Sequence, residues 1–255
     1  AEAPAPVLGP PLLALTGDLP QGLAGLDREL DHARAALDRR VEHVGRSLAL
    51  VPPRTDFDLV DQPKLVRYQR NYLGIVRSLA IAARTAGFEP RDEAAALAIA
   101  HVKEFLDRQP PGRGDAWEPY VVATRLMHLV VARELLRPRV SGEDAAFLDG
   151  PWLASIATHA RWAAATLELH LLGNHLFTDG AAIFVAGCAM DGAEALALRA
   201  LGYGVLMRST ITDVLPDGGH SERAPTYAAI YLDQLSLVLC AAHALNASAP
   251  AGTQS

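Results

Sequence analysis

Three short stretches set chemically capable side chains among apolar neighbours. "LHLLGNHLFTDGAAIF" places Asn174 and His175 between Leu172 and Leu176, directly after Gly173. A polar pair inserted among apolar residues must find partners or be costly. The Asn174 amide can donate through its NH2, and the His175 imidazole can donate in one tautomer or as the cation. The plain alternative is a helix C-cap, because Gly and Asn both tolerate left-handed backbone. "LPDGGHSERAPTYAAIYLDQ" gathers His220, Glu222, Arg223 and Tyr227 behind a "PDGG" turn. A free phenol has a pKa of about 10, so Tyr227 is a poor base unless a nearby cation favours phenolate. Arg223 and His220 precede it closely enough to supply one if the loop folds back. The alternative is a solvated loop that caps a helix. "WEPYVVATRLMHLV" offers Trp117 and Arg125. They read either as a sugar-stacking indole and a carbohydrate-facing arginine, or as a core residue and a structural ion pair.

Helices must position these groups. Apolar residues recur every three to four positions from Gln21 to Leu50, at Leu26, Leu30, Ala33 and Leu37. After the proline-rich connection "VPPRTDFDLVDQPK", helices are predicted over Leu65–Ala86, Asp92–Leu106, Glu118–Leu136 and Gly142–His159. Pro119 fits a first helical turn, and "SGED" caps the last of these helices with Ser141. Arg161–Leu172, Thr178–Met190, Ala193–Val214 and Pro225–Leu245 follow. No convincing period-2 strand is visible. About nine antiparallel helical segments predict an all-α array, a bundle, solenoid or toroid, over 21–246. Residues 1–20, rich in Pro and Gly, read as a loose leader, and 247–255 as a disordered tail.

"GNHLF" followed by "DGGHSERAPTY" resembles the helical domain of the heparinase II/III and alginate lyase group, and the spacing from Asn174 to Tyr227 matches. "WEPYVVATRL" resembles the preceding segment of that family, and "DLVDQPKLVRYQRNYLGIVRSLA" resembles an earlier helix pair more weakly. Any one piece is a poor signal; the three in order are specific. Ala224 stands where the family often has Ser, which removes a side-chain cap worth roughly 1 kcal/mol. Ala228 stands where a His often follows the Tyr.

The resemblance implies an α/α toroid. Family enzymes continue into a β-sandwich that supplies further catalytic residues, and this sequence stops at Ser255. The resemblance also implies β-elimination at a uronic acid: the C5 proton leaves and the bond to O4 breaks. Proton loss puts charge on an already anionic carboxylate, so donors at that carboxylate stabilise the developing dianion. Asn174 and His175 take that role, and Tyr227 carries the proton. Arg125, His220, Glu222, Arg223 and Trp117 are candidates for substrate binding. The implied partner is an acidic polysaccharide or oligosaccharide; which polymer, and endo or exo action, stay open.

A net charge of -6 gives no general attraction to nucleic acid or an anionic membrane. With 50% hydrophobic and 20% charged residues, the 255-residue chain can bury a large core. No apolar run is read as long enough to span a bilayer. Cys188 and Cys240 lie in alanine-rich stretches and are expected as two buried thiols. No ligand spacing suggests zinc, and no phosphate-binding glycine loop appears, so neither metal nor cofactor is expected. "AEAPAP" is either a mature end after signal removal or an artificial boundary. The expected location is periplasmic or secreted, with the cytoplasm still open. Two other readings remain. One is a non-catalytic polysaccharide-binding module or one half of a lyase. The other is a glycoside hydrolase using carboxylates from Glu118, Asp179, Asp217 and Glu222.

Overall fold

The computed structural model describes residues 6–8, 18–19, 25–171 and 173–248. In chain order the elements are β1 (Val7–Leu8), α1 (Leu26–Leu37), β2 (Arg40–His43), β3 (Arg46–Ala49), α2 (Lys64–Asn71), α3 (Gly74–Arg84) and α4 (Arg91–Arg108). Then come α5 (Pro119–Leu136), α6 (Gly142–Phe147), α7 (Leu153–Ala165), α8 (Gly173–Cys188), β4 (Met190–Asp191), α9 (Ala193–Asp213) and α10 (Pro225–Ser248). The described residues form an all-α fold with a few short strands. Two compact units divide it: Leu15–Ser155, and Ala1–Ala14 with Ile156–Ser255.

In the unit Leu15–Ser155, α3 is the central helix and packs against α1, α4 and α5. Val76, Leu79, Ala80, Ala82 and Ala83 are fully buried, so α3 is apolar nearly all round. The single helix predicted over Leu65–Ala86 is two. Leu73 takes a left-handed φ of 53° and ends α2. That break leaves the last carbonyls of α2 without helical partners. Side chains of α5 satisfy them: Arg125 donates to the Asn71 carbonyl at 2.8 Å, and His128 Nδ1 lies 2.8 Å from that of Tyr72.

The unit also contains strands that the sequence reading missed. β2 and β3 form an antiparallel hairpin in which His43 pairs with Arg46. Its two-residue turn, Val44 and Gly45, has φ of 52° and 71°. Both values suit a primed hairpin turn, normally marked by Asn-Gly. Valine in the first position hid the signal, although the burial of β2 alternates with Val41 and His43 inward.

In the second unit, α8 holds the middle place and packs against α9 and α10. Gly202 allows α9 to approach closely: a Cβ there would lie 2.5 Å from the Phe184 nitrogen. Phe177 stacks on Tyr231 with centroids 3.8 Å apart, fastening α10 to α8. Tyr231 donates to Asp213 Oδ2 at 2.5 Å, tying α10 to the end of α9. Burial and that carboxylate push the Tyr231 phenol above its ordinary pKa.

Other expectations need correction. Residues 166–171 are not helical, so α7 ends at Ala165 rather than continuing toward Leu172. Cys188 is buried, and burial pushes its thiol up to about 12, but Cys240 is exposed. Pro225–Asn246 is long and apolar enough to cross a membrane by length and composition, contrary to the sequence reading. Within the expected leader, Val7–Leu8 pairs antiparallel with Met190–Asp191, and Leu19 bridges Thr85. The rest of 1–20, apart from Pro6 and Asp18, and residues 249–255 of the tail lie outside the described residues.

Candidate active site at the start of α8

Gly173 sets the geometry where α8 begins. Its φ is +57°, and a Cβ would fall 2.5 Å from Glu222 Oε1. Glycine therefore supplies a left-handed residue and lets the loop before α10 come close. The C-cap alternative is not formed, and the helix predicted from Thr178 begins earlier: Asn174 and His175 sit in the first turn of the 16-residue α8. The Asn174 N–H donates to Glu222 Oε1 at 3.4 Å, and its carbonyl accepts from Thr178 Oγ1 at 2.7 Å. Thr178 Oγ1 in turn accepts from Gln234 Nε2 of α10 at 3.0 Å. The Asn174 side-chain amide has no hydrogen-bond partner among the described residues.

His175 pairs with a residue that sequence reasoning missed. Its Nδ1 lies 2.9 Å from Glu168 Oε2, with the Glu168 side chain nearly buried and the ring 36% exposed. A carboxylate accepts, so Nδ1 donates. The Glu168 hydrogen bond raises the His175 pKa against desolvation, helped by the charges of Glu168, Asp179 and Glu222. The Glu168 N–H donates to Asp179 Oδ2 at 2.9 Å. Asp179 is fully buried, and Oδ1 has no hydrogen bond among the described residues. Burial, chiefly, pushes its carboxyl up to about 7. It lies in the second turn of α8. Full burial also removes it from any carboxylate pair for hydrolysis. No periodic pattern marks Glu168 or Asp179; the signal was polar residues flanking an apolar helix.

The loop before α10 is held by backbone pairing. Leu215 N–H donates to Gly219 at 2.8 Å, and Ser221 N–H donates to Asp213 at 2.8 Å. His220 is 6% exposed, with its ring 4.5 Å from Tyr231 and 6.0 Å from Tyr227. Its Nδ1 accepts from the Glu222 N–H at 3.1 Å, which places the proton of the neutral ring on Nε2. That nitrogen is buried with no hydrogen bond among the described residues. His220 and Arg223 line a shallow depression with Asp217, Pro225 and Ala228. Tyr227 is half-buried in the first turn of α10. Arg223 is exposed with φ 53°, and its guanidinium makes no ion pair among the described residues. The expected Arg223–Tyr227 contact is not formed; the ring nearest Tyr227 is that of His220.

Trp117 and Arg125 belong to the other unit, and of the two readings open for each, sugar contact or packing, the structure takes packing. Arg125 is fully buried, with its guanidinium 4.6 Å from the Phe105 ring and 5.3 Å from that of Trp117. Burial lowers its pKa to about 9. Trp117 is 4% exposed and donates its indole N–H to the Gln109 carbonyl at 3.3 Å. Among the described residues no cluster of His, Cys, Asp or Glu has the geometry to hold a metal ion.

The described residues thus form an all-α domain in which Asn174 and His175 open one helix and Tyr227 lies in the first turn of another. The family model for the heparinase II/III N-terminus matches residues 66–252, well over half of the chain. This chain belongs to the heparinase II/III family. A heparinase III gene product solved with methylated lysines superposes with a TM-score of 0.66 at 20% identity, covering 91% of this chain and 39% of that one. The heparan sulfate lyase HepC from Pedobacter heparinus gives 0.64 at 20% identity, covering 89% and 38%. Another heparinase III gives 0.66 at 18% identity, covering 96% and 38%. The chain thus spans about two fifths of these relatives and shares the fold of that part. The comparison with curated proteins finds no match.

Proposed function

We propose that this chain acts in the cleavage of a uronic-acid-containing polysaccharide by β-elimination. Asn174 and His175 neutralise the C5 carboxylate, and Tyr227 carries the proton. The observation that carries this reading is the first turn of α8. It combines a side-chain amide with an imidazole held toward its charged form by Glu168. A helix N-terminus adds partial positive charge and favours an anion there. Glu222 already brings one carboxylate to that turn, at the Asn174 N–H.

Charge development explains why such a pair suits the reaction. In the ground state the uronate bears one negative charge; as the C5 proton leaves, a second builds on the same group. Donors fixed before the reaction stabilise the second charge most. The Tyr227 phenol, beside the His220 ring, is the group that takes the proton or returns it to O4.

The test is ultraviolet absorbance of the unsaturated uronate, followed with heparan sulfate, hyaluronan and alginate. A rise with the parent chain and none with Tyr227→Phe supports elimination. Saturable binding without absorbance would reduce the chain to a polysaccharide-binding module. Reducing ends without unsaturation would replace elimination by hydrolysis.

A further inference from the structure

We propose that Glu168 is a positioning residue for His175: it fixes which ring nitrogen faces the substrate carboxylate and requires that the ring act as a cation. The inference rests on the proposed carboxylate-neutralising role of His175, and it names what makes that role possible.

The geometry comes first. Glu168 Oε2 is 2.9 Å from Nδ1, so Nδ1 carries a proton in both the neutral and the charged ring. Neutral His175 then carries no proton at Nε2, so that nitrogen could not donate to a uronate. Only imidazolium donates from Nε2 as well. The ring's service to an anion is therefore conditional on its charge, and Glu168 imposes that condition.

Glu168 is itself held. It lies in the short non-helical stretch between α7 and α8, and its own N–H donates to the buried Asp179 Oδ2 at 2.9 Å. The backbone of the orienting residue is thus fastened to the second turn of the helix whose first turn carries His175. Glu168 is 7% exposed, so water screens its carboxylate little, whereas the His175 ring is about one third exposed. The charged groups that raise the pKa of the ring include Glu168 from this stretch, Asp179 from α8 itself and Glu222 from the loop before α10. All three are carboxylates, and all favour the cation. Of the three, Glu168 hydrogen-bonds the ring.

Glutamine at this position can still accept from Nδ1 but brings no charge, so Glu168→Gln separates orientation from electrostatics. The experiment is a proton NMR titration of the His175 ring in the parent chain and in Glu168→Gln. Binding of a heparan sulfate tetrasaccharide is measured across the same pH range. In the parent, the His175 midpoint is expected above that of an ordinary histidine. In Glu168→Gln it moves to lower pH, and the alkaline edge of binding moves with it. At pH 7.5 affinity falls by about tenfold, as for loss of one charge-assisted hydrogen bond. An unchanged midpoint overturns the proposal. A midpoint that falls while binding keeps its pH edge leaves the Glu168–His175 pair intact and overturns the carboxylate-neutralising reading instead. Should the Gln variant fail to fold, a parent midpoint at or below the ordinary value overturns the proposal, and one above it, lowered in Glu168→Asp, supports it.

Discussion

Arg125 and His175 look alike in the sequence: each is a basic residue set among apolar neighbours on a helix. The structure treats them oppositely. Arg125 lies between two aromatic rings with no exposed surface and caps the broken end of α2. Desolvation works against its charge, and it keeps that charge only because a guanidinium starts from so high a pKa. His175 is about one third exposed, and a nearby carboxylate raises its pKa despite partial burial. One base holds a helix junction together, whereas the other is biased toward its charged form and partly exposed. The lesson is that the partner and the exposure, not the residue type, separate a structural base from a functional one.

The sharpest way to break this comparison is to remove Arg125. Arg125→Ala leaves the Asn71 carbonyl unsatisfied and a void between Phe105 and Trp117, and is expected to cost about 3–5 kcal/mol. Chemical denaturation checks it. A stable variant that instead lost saccharide affinity would return Arg125 to the binding surface.

In the other unit, Gly202→Ala forces a methyl onto the α8 backbone, with an expected loss of about 1–3 kcal/mol in the same assay. His175→Ala should cost much less stability than Arg125→Ala and reduce turnover by about a hundredfold, the usual cost of losing one donor to a developing oxyanion. Steady-state absorbance of the unsaturated product reads that loss. The pairing of large stability effects at Arg125 with large functional effects at His175 is what the comparison demands.

Two pH effects sharpen it further. The His175 pKa is raised in the folded state. Its contribution to stability is therefore complete below the unfolded value, about 6.5, and is lost as pH rises through the folded value. Asp179 also has a raised pKa, about 7 against the model-peptide 3.8. For an acid this means the folded state holds the proton longer, so its burial costs nothing below about pH 4 and costs most above about 7. Asp179→Asn should therefore raise the melting temperature at pH 8 and not at pH 4. The net gain is on the order of 1 kcal/mol, since the amide NH2 inherits the unpartnered place of Oδ1.

Much was legible in the chain. The helices α5, α9 and α10 follow directly from apolar periodicity with Pro119, Gly192 and Pro225 at their starts. Asn174, His175 and Tyr227 stood out because polar groups interrupted that periodicity. The missed hairpin shows a limit of local signals: Val44 occupies a turn position normally taken by Asn, and only the pairing of Arg40–His43 with Arg46–Ala49 reveals it. The start of α8 shows another. Gly173 reads as a terminator, yet its left-handed φ opens the helix because Glu222, distant in sequence, closes over it.

The sequence by itself determined most of the helical stretches, the all-α class and the residue types able to meet an anion, because periodicity and donor chemistry are local properties. Only the tertiary structure decided that Glu168 holds His175, that Asp179 is buried beneath them, and that Arg125 and Trp117 serve the core. Charge state and exposure depend on groups that the chain brings together from separate segments, and no spacing along a single segment encodes them.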